Sequence, residues 1–136
     1  MNKGMYIVID FDGTCCTHEF PEIGRDIGAI AVLQELIDNG HKLILFTMRD
    51  NNPSSSRMHL AEAVEWLQSH GIVLHGVQKN PTQHKWTSSP KAYGQIIIDD
   101  AALGCPLVVP VDGKERPYVD WRKVRNLLIE KSVIKA

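Results

Sequence analysis

The sequence lacks the features that mark membrane, secreted and nucleic-acid-binding proteins. No apolar run approaches the roughly 20 residues that a transmembrane helix needs, and no apolar segment with a small-residue cleavage site follows Lys3. The formal net charge is only −1, which gives no general attraction to nucleic acid or to membranes. These absences predict a cytoplasmic protein that does not bind membranes.

Cysteine is also scarce, with three residues in a chain of 136. Cys15 and Cys16 are adjacent, Cys105 is distant and no CxxC spacing occurs, so neither a zinc site nor a disulfide framework is indicated. The six histidines show no paired spacing typical of metal ligands. We therefore expect reduced thiols that behave as small apolar side chains.

What the sequence does contain is enough apolar material for one folded unit. Hydrophobic residues make up 43% of the chain and charged residues 23%, which are ordinary fractions for a globular protein. A chain of 136 residues can bury a sizeable core but is too short for two ordinary domains. The sequence therefore predicts a single domain over residues 1–136.

Four short runs rich in isoleucine, leucine and valine predict β-strands, because uniformly apolar runs of this length are typical of strands buried on both faces. They lie at residues 5–10, 42–47, 72–77 and 95–99. Residues 106–119 differ, since three prolines and the Asp112-Gly113 pair predict a loose hairpin or an edge excursion there.

Three further segments carry apolar residues at helical spacing. They predict helices at residues 27–39, 57–70 and 120–131. Gly40 and Gly71 stand where glycine commonly ends a helix, and the serines at 54–56 can cap the second helix. Strands that alternate with helices are typical of right-handed crossovers. We therefore predict an α/β, three-layer Rossmann-like fold with a central, mainly parallel sheet and helices on both faces.

Polar and acidic residues gather where the predicted strands end. Asp10 and Asp12 follow the first strand, Thr47 ends the second, and Asp99 and Asp100 end the last. In sheets of this kind, ligands bind beyond the carboxyl ends of the strands. We therefore expect these side chains to share one site.

Several carboxylates brought close together repel one another unless a cation neutralises them. Their hard oxygen atoms suit Mg²⁺, which commonly binds one or two carboxylates, water and a substrate phosphate. Asp10 and Asp12 would project together only if the strand continued through Asp12, and Gly13 allows a sharp turn directly afterwards. Lys91, just before the last strand, would bring a positive charge to the same region.

Four segments resemble, in order, the four motifs of the haloacid dehalogenase (HAD) superfamily of phosphohydrolases. IVIDFDGT resembles motif I, LILFT resembles motif II and IIIDD resembles the acidic motif IV. Lys91 resembles the motif III lysine, and Lys79 is a rival for that position. The resemblance covers residues 5–100. It implies a phosphatase that depends on Mg²⁺ and hydrolyses a phosphomonoester.

The resemblance also implies roles for single residues. Asp10 would be the nucleophile that forms an aspartyl-phosphate, and Asp12 would be the general acid and then the general base. Mg²⁺ would be held by the Asp10 side chain, the Asp12 backbone carbonyl and Asp99, with Asp100 bound directly or through water. The residues expected to contact phosphate or substrate are Gly13, Thr14, Thr47, Met48, Arg49, Lys79 and Lys91, of which Thr47 and Lys91 belong to the catalytic set.

The loops indicate a small member of this superfamily without a cap domain. Neither the interval after motif I nor the one between motifs II and III has room for a cap once the predicted elements are placed. Residues 78–94 contain three lysines, His84 and Trp86 but no acid, so with Arg49 and Arg57 they would form a basic rim that attracts an anionic substrate. The alternative is an ordinary solvated loop. We expect a small phosphorylated substrate, with nucleic-acid ends and a homo-oligomer left open.

Other functions use the same residue types. A receiver domain also combines acidic residues, a threonine or serine, and a lysine around Mg²⁺, but its acidic pair follows the first strand, whereas here Asp99 and Asp100 come last. A second alternative is a protein of this fold that binds phosphorylated ligands without turnover. A third is phosphotransfer to an acceptor other than water.

Overall fold

Four parallel strands form the central sheet of the protein, in a computed structural model that describes residues 4–52, 54 and 56–136. The strands are β1 (Tyr6–Ile9), β2 (Lys42–Leu45), β3 (Gly76–Val77) and β4 (Ile96–Ile98). Their order is β3-β2-β1-β4, and each neighbouring pair is parallel. The predicted α/β fold with a mainly parallel sheet is therefore confirmed. β3 is shorter than the predicted strand at residues 72–77.

Three helices form where the sequence predicted them, each inside its predicted range: α1 (Ala29–Asp38), α2 (His59–Ser69) and α3 (Trp121–Glu130). Helix α1 begins where the Asp26 carboxylate accepts hydrogen bonds from the N–H groups of Gly28, Ala29 and Ile30 at 3.1, 3.0 and 3.3 Å. These N–H groups would otherwise lack a partner inside the helix. Gly40 has a φ of +86°, as expected for the residue that ends α1.

The start of α2 differs from the prediction that serines at 54–56 cap it; of these, Ser55 lies outside the described residues. The N–H of Leu60 donates to the backbone carbonyl of Asp50 at 3.1 Å, and that of Ala61 donates to Oδ1 of Asn51 at 3.0 Å. Met58 is at the N-cap of α2, and neither Ser54 nor Ser56 caps the helix, so the prediction is wrong for these two serines. Asp50 and Asn51 satisfy N–H groups of the first turn instead.

The helices share one core on one face of the sheet. Their buried side chains form a single cluster with the side chains that alternate along the strands. The strand members of this cluster include Ile7, Ile9, Leu43, Leu45 and Ile98, and the helix members include Leu33, Leu36, Ala63, Leu67, Trp121, Val124 and Leu128.

The opposite face of the sheet is covered by residues 78–95, where the structure has only a one-turn 3₁₀ helix, Gln83–Lys85. The Tyr6 hydroxyl lies 3.1 Å from Oγ1 of Thr82, and a Cβ on Gly94 would lie 2.7 Å from Val8 Cγ2. Helices on both faces, and hence three layers, are therefore not confirmed.

Chain direction explains this arrangement. The steps from β1 to β2 and from β2 to β3 run the same way across the sheet, so right-handed crossovers place α1 and α2 on one face. The step from β3 to β4 runs the other way and crosses the second face. Pro81, Pro90 and Gly94 in this connection disfavour a long helix there.

Residues 106–119 form a hairpin, the first of the two structures predicted for this segment. β5 (Leu107–Val108) pairs antiparallel with β6 (Tyr118–Val119). No cap domain occurs among the described residues, because residues 10–28 and 78–95 contain no further helix or strand beyond the one-turn 3₁₀ helix. In the part of the chain that the structure describes, every helix is too short or too polar to cross a bilayer.

Candidate functional site

Three carboxylates meet at the carboxyl edge of the sheet. Asp10, Asp99 and Asp100 each offer an oxygen atom, and these atoms all lie within 4.8 Å of one another. The N–H of Asp10 donates to the Ile98 carbonyl at 3.1 Å, which keeps the ends of β1 and β4 in register. These three residues lie together as the strand-end pattern predicted.

The cluster is electrostatically unfavourable by itself. Burial, the neighbouring charge of Asp99 and a hydrogen bond with Asp100 raise the pKa of Asp10 from its ordinary value of 3.8 to about 8. Burial also raises the pKa of Asp99. A divalent cation among these oxygens would offset the repulsion, and the donor set of hard carboxylate oxygens fits Mg²⁺.

This repulsion predicts how the stability of the metal-free protein depends on pH. The pKa of Asp10 is raised from 3.8 to about 8, so between those values the folded chain holds a proton that the unfolded chain has released. The free energy of unfolding therefore falls as pH rises across this range. We expect urea unfolding to show lower stability at pH 8 than at pH 5, and Asp10→Asn to remove most of this slope.

Added Mg²⁺ should raise the stability of the wild-type protein at pH 8 more than that of Asp10→Asn, because binding to the folded state alone is stabilising. Unfolding curves with the same pH slope in both proteins would contradict this account of Asp10.

Gly13 and Thr14 lie behind the carboxylates and support them. The Thr14 hydroxyl is fully buried; it lies 3.0 Å from Oδ2 of Asp10 and 3.3 Å from Oδ1 of Asp100, and it accepts from the Asp100 N–H at 3.1 Å. Gly13 has a φ of +79°, and a Cβ there would lie 1.9 Å from Nε2 of His18. This turn therefore favours glycine. The predicted phosphate contact of Thr14 would need its hydroxyl, which is already hydrogen-bonded to Asp10 and Asp100.

His18 is a residue of the site that sequence reasoning did not include. Its Nε2 atom lies 2.9 Å from Oδ2 of Asp100, and its side chain is only 12% exposed. No spacing rule identifies it, because the contact joins positions 82 residues apart. Its only sequence signal is its place in the short loop that follows the DxDGT segment.

Asp12 does not join the carboxylate cluster. β1 ends at Ile9, so the extended geometry that would align Asp10 with Asp12 does not continue. Instead, Oδ2 of Asp12 accepts from Nε of Arg49 at 2.8 Å and Oδ1 accepts from Nη2 at 2.9 Å. This two-point contact is the strongest geometry for an arginine–carboxylate pair. The two acidic residues of the DxD segment therefore face different partners.

Arg49 is buried, with 2% of its surface exposed. Besides Asp12 it donates to the backbone carbonyls of Pro21, Glu22 and His59 at 3.4, 2.9 and 3.3 Å, so its donors are fully used. Arg49 was predicted to line the mouth and contact substrate. In the structure its side chain is instead buried, and its hydrogen bonds join the turn after β1, the loop at residues 20–22 and the start of α2.

Arg49 also lies between two aromatic rings. Its Cζ atom is 5.1 Å from the centroid of Phe11 and 5.0 Å from that of Phe20, within the range of a cation–π contact. Phe11 is fully buried, whereas Phe20 is 58% exposed. The guanidinium therefore connects the protein core to an aromatic ring at the surface.

Thr47 follows β2 and is held by a glutamine that the sequence did not reveal. Gln78 accepts from the Thr47 N–H at 2.8 Å and donates to the Thr47 carbonyl at 2.6 Å. The Thr47 hydroxyl accepts from the N–H of Arg49 at 3.2 Å. Met48, between them, is 97% exposed. The segment after β2 thus has a fixed backbone and an exposed side chain.

Neither candidate lysine reaches the carboxylates in this conformation. Lys79 and Lys91 are exposed, and within the described residues neither forms an ion pair with an acidic side chain. The Lys91 backbone carbonyl accepts from Nε2 of Gln83 at 2.9 Å. The motif III assignment therefore stays a prediction, with both lysines still open.

Trp86, predicted to belong to a basic rim, packs away from the acidic edge. Its ring lies 5.1 Å from that of Tyr93, which is 6.0 Å from the ring of Tyr6. Tyr6 begins β1, whereas Asp10 follows the end of that strand. A surface cavity of about 550 Å³ in this loop, lined among others by Lys79 and His84, contains no carboxylate, so it lacks the chemistry of the strand ends.

The adjacent cysteines pack beneath the site. Cys15 and Cys16 are free thiols with no exposed surface, and the Cys15 thiol lies 3.4 Å from the backbone carbonyl of Asp10. Burial raises the pKa of Cys15 and raises that of Cys16 to about 12. Buried thiols of high pKa are unreactive, so both act as small core side chains, as predicted.

The fold and the strand-end cluster together define an α/β protein with an acidic site at the carboxyl edge of a parallel sheet. A solved structure of a conserved protein from Bacteroides thetaiotaomicron is similar to it, with 30% sequence identity and a TM-score of 0.72, covering 95% of this chain and 93% of that chain. This chain therefore belongs to the same family as that conserved protein. No family model and no curated protein matches this chain.

Proposed function

We propose that this protein is an Mg²⁺-dependent phosphatase of the HAD superfamily, which hydrolyses a phosphomonoester through an aspartyl-phosphate. The observation that carries the proposal is the cluster of Asp10, Asp99 and Asp100 within 4.8 Å, with a further carboxylate, Asp12, held apart from it by Arg49. The order of the four motif-like segments supports the same assignment.

Mg²⁺ would be held by Asp10, Asp99 and Asp100, with the Asp12 backbone carbonyl as a further ligand by resemblance. When bound, the ion would neutralise the carboxylates and the phosphoryl oxygens and orient the phosphate for attack. Without a cation, burial and the neighbouring carboxylates raise the pKa of Asp10 to about 8; a cation nearby would favour the ionised form that a nucleophile needs.

The chemistry follows from the two separated acids. A carboxylate oxygen of Asp10 attacks phosphorus, the bond from phosphorus to the leaving oxygen breaks, and Asp12 gives its proton to that oxygen. Water then attacks the aspartyl-phosphate, Asp12 takes the proton from the water, and the Asp10 carboxylate is regenerated with release of phosphate. Because both oxygens of Asp12 contact Arg49, Asp12 must release one of these contacts and take up a proton as substrate binds.

Further groups would complete the phosphate site. The Thr47 hydroxyl accepts from Arg49, so its own proton is available to a phosphoryl oxygen. Lys91 or Lys79 would offset the phosphoryl charge after a movement toward the strand ends, and Met48 would offer its backbone N–H group. The N–H of Gly13, also predicted to contact phosphate, already donates to the Cys16 carbonyl at 2.8 Å. The absence of a cap domain among the described residues leaves the site open, which suits a bulky substrate such as an exposed nucleic-acid end, or a small phosphorylated substrate covered by a second subunit.

The test is phosphate release by the purified full chain from a panel of phosphomonoesters, starting with p-nitrophenyl phosphate, with Mg²⁺ or with a chelator. We expect release that requires the divalent ion, and its loss in Asp99→Asn. Release that is equal with chelator and with Mg²⁺ would contradict the proposal.

Two other outcomes separate the alternatives. A protein that binds Mg²⁺ and orthovanadate by calorimetry but releases no phosphate from any substrate would be a non-catalytic binding protein. Transfer of phosphate to added alcohols or sugars in preference to water would indicate a phosphotransferase.

A further inference from the structure

Phe20 is an exposed aromatic ring that the structure holds in one place. It is 58% exposed, although removing an apolar ring from water is favourable. Arg49 lies over the ring, with Cζ 5.0 Å from the centroid, and the His59 ring packs against it with centroids 5.1 Å apart. The ring is therefore supported from within the protein while much of its surface stays open.

The backbone around Phe20 is fixed as well. Arg49 donates to the carbonyls of Pro21 and Glu22, the two residues that follow Phe20. Arg57 forms ion pairs with the Glu22 side chain and with Glu62 of α2. These contacts join the loop to the start of α2, so the exposed ring is preorganised, and little rotational freedom is lost when a ligand packs on it.

Phe20 stands on the Asp12 side of the site. One side chain separates them, since the same guanidinium that pairs with both oxygens of Asp12 lies over the Phe20 ring. Asp12 is the proposed proton donor to the leaving oxygen. A group carried by that oxygen would lie beside Asp12, one guanidinium away from the Phe20 ring, while the phosphoryl group would lie against the Asp10 cluster.

Two exposed methionines are sequence neighbours of the residues that contact the Phe20 ring. Met48 is 97% exposed and follows Thr47, and Met58 is 53% exposed and precedes His59. Thioethers are flexible and make favourable contacts with aromatic rings. Met48 and Met58 are thus exposed apolar side chains next in sequence to Arg49 and His59, the two residues that contact the Phe20 ring.

We propose that Phe20 is a specificity-determining residue that packs against an aromatic leaving group, and that the preferred substrates are phosphomonoesters with a ring on, or one carbon from, the ester oxygen. This inference rests on the proposed phosphatase function and adds a substrate class to it. Phe20 contacts the leaving group only, so it takes no part in proton or phosphoryl transfer.

The test compares phenyl phosphate with glycerol 2-phosphate in the wild-type chain, Phe20→Leu and Trp86→Leu. Leucine keeps an apolar side chain but removes the ring. We expect Phe20→Leu to lower kcat/KM for phenyl phosphate by about threefold to tenfold, mainly through KM, and to leave the value for glycerol 2-phosphate unchanged. Trp86→Leu should change kcat/KM for neither substrate, because Trp86 packs against Tyr93, which contacts Tyr6 at the start of β1.

An equal loss for both substrates in Phe20→Leu would show a merely structural role and would overturn the inference, as would no loss for either. If the wild-type chain hydrolyses no phosphomonoester, the proposed function fails on its own. Binding then decides the inference: with Mg²⁺, calorimetry should show phenylphosphonate binding more tightly than methylphosphonate, and Phe20→Leu should abolish that difference. Equal binding of the two in the wild-type chain would overturn it.

Discussion

Asp10→Asn should lower kcat for a phosphomonoester by about 10⁴-fold or more, the range seen when a catalytic nucleophile is removed. The amide oxygen of asparagine is a poor nucleophile and cannot form the aspartyl-phosphate of the proposed mechanism. The fold should persist, because the substitution relieves the repulsion that raises the pKa of Asp10. We expect the metal-free variant to be more stable at pH 8 by about 1–2 kcal/mol.

Two measurements check this result together. The first is kcat with Mg²⁺, with Asp38→Asn as the matched control, since Asp38 lies on the surface of α1 and accepts only from Gln34 at 3.0 Å among the described contacts. The second is rapid acid quench with labelled substrate, which should leave label on the wild-type protein and none on Asp10→Asn. Activity of Asp10→Asn within tenfold of the wild type would refute the role of Asp10 as nucleophile.

Arg49→Met should destabilise the protein by about 3–5 kcal/mol, as expected when one partner of a buried ion pair is removed. Methionine preserves apolar volume but leaves the Asp12 carboxylate, which is 18% exposed, without its cation. The carbonyls of Pro21, Glu22 and His59 also lose their donor. The stability of Arg49→Lys should lie between those of the wild type and Arg49→Met, because a lysine keeps the charge but cannot make the two-point contact.

The measurement is the free energy of unfolding in urea at constant m-value. Arg125→Met is the matched control, because Arg125 also pairs with a carboxylate, Glu35, but its side chain is 39% exposed. An exposed pair of this kind contributes little to stability, because water screens the charges. Adding Asp12→Asn to Arg49→Met should recover part of the loss. Equal destabilisation by Arg49→Met and Arg125→Met would show that burial of the Arg49 pair is unimportant.

Much of the fold could be predicted because local pattern dictates it. The apolar runs of β1, β2 and β4 and the helical stripes of α1 and α3 appear where they were expected. Sequence reasoning failed where the chain folds back on itself, at the start of α2. There Asn51, rather than a nearer serine, bonds the first turn, and no local pattern specifies which preceding side chain will arrive.

The candidate site divides in the same way. That Asp10 and Asp99 would meet follows from sequence, since the carboxyl ends of adjacent parallel strands lie at one edge of a sheet. The sequence does not predict the partner of Asp12, because the direction of the Asp12 side chain depends on where the strand ends. β1 ends at Ile9. The structure therefore separates two acids that sequence places two positions apart.

Periodicity and strand direction are local properties of the backbone, so the sequence specifies most of the helices and strands and the edge of the sheet at which acidic side chains collect. Contacts between distant parts of the chain turn Arg49 inward to Asp12 and bring His18 to Asp100. They also leave residues 78–95 covering the second face without a long helix. Those outcomes depend on loops that bring distant positions together, and the packing around each loop sets which side chains become buried.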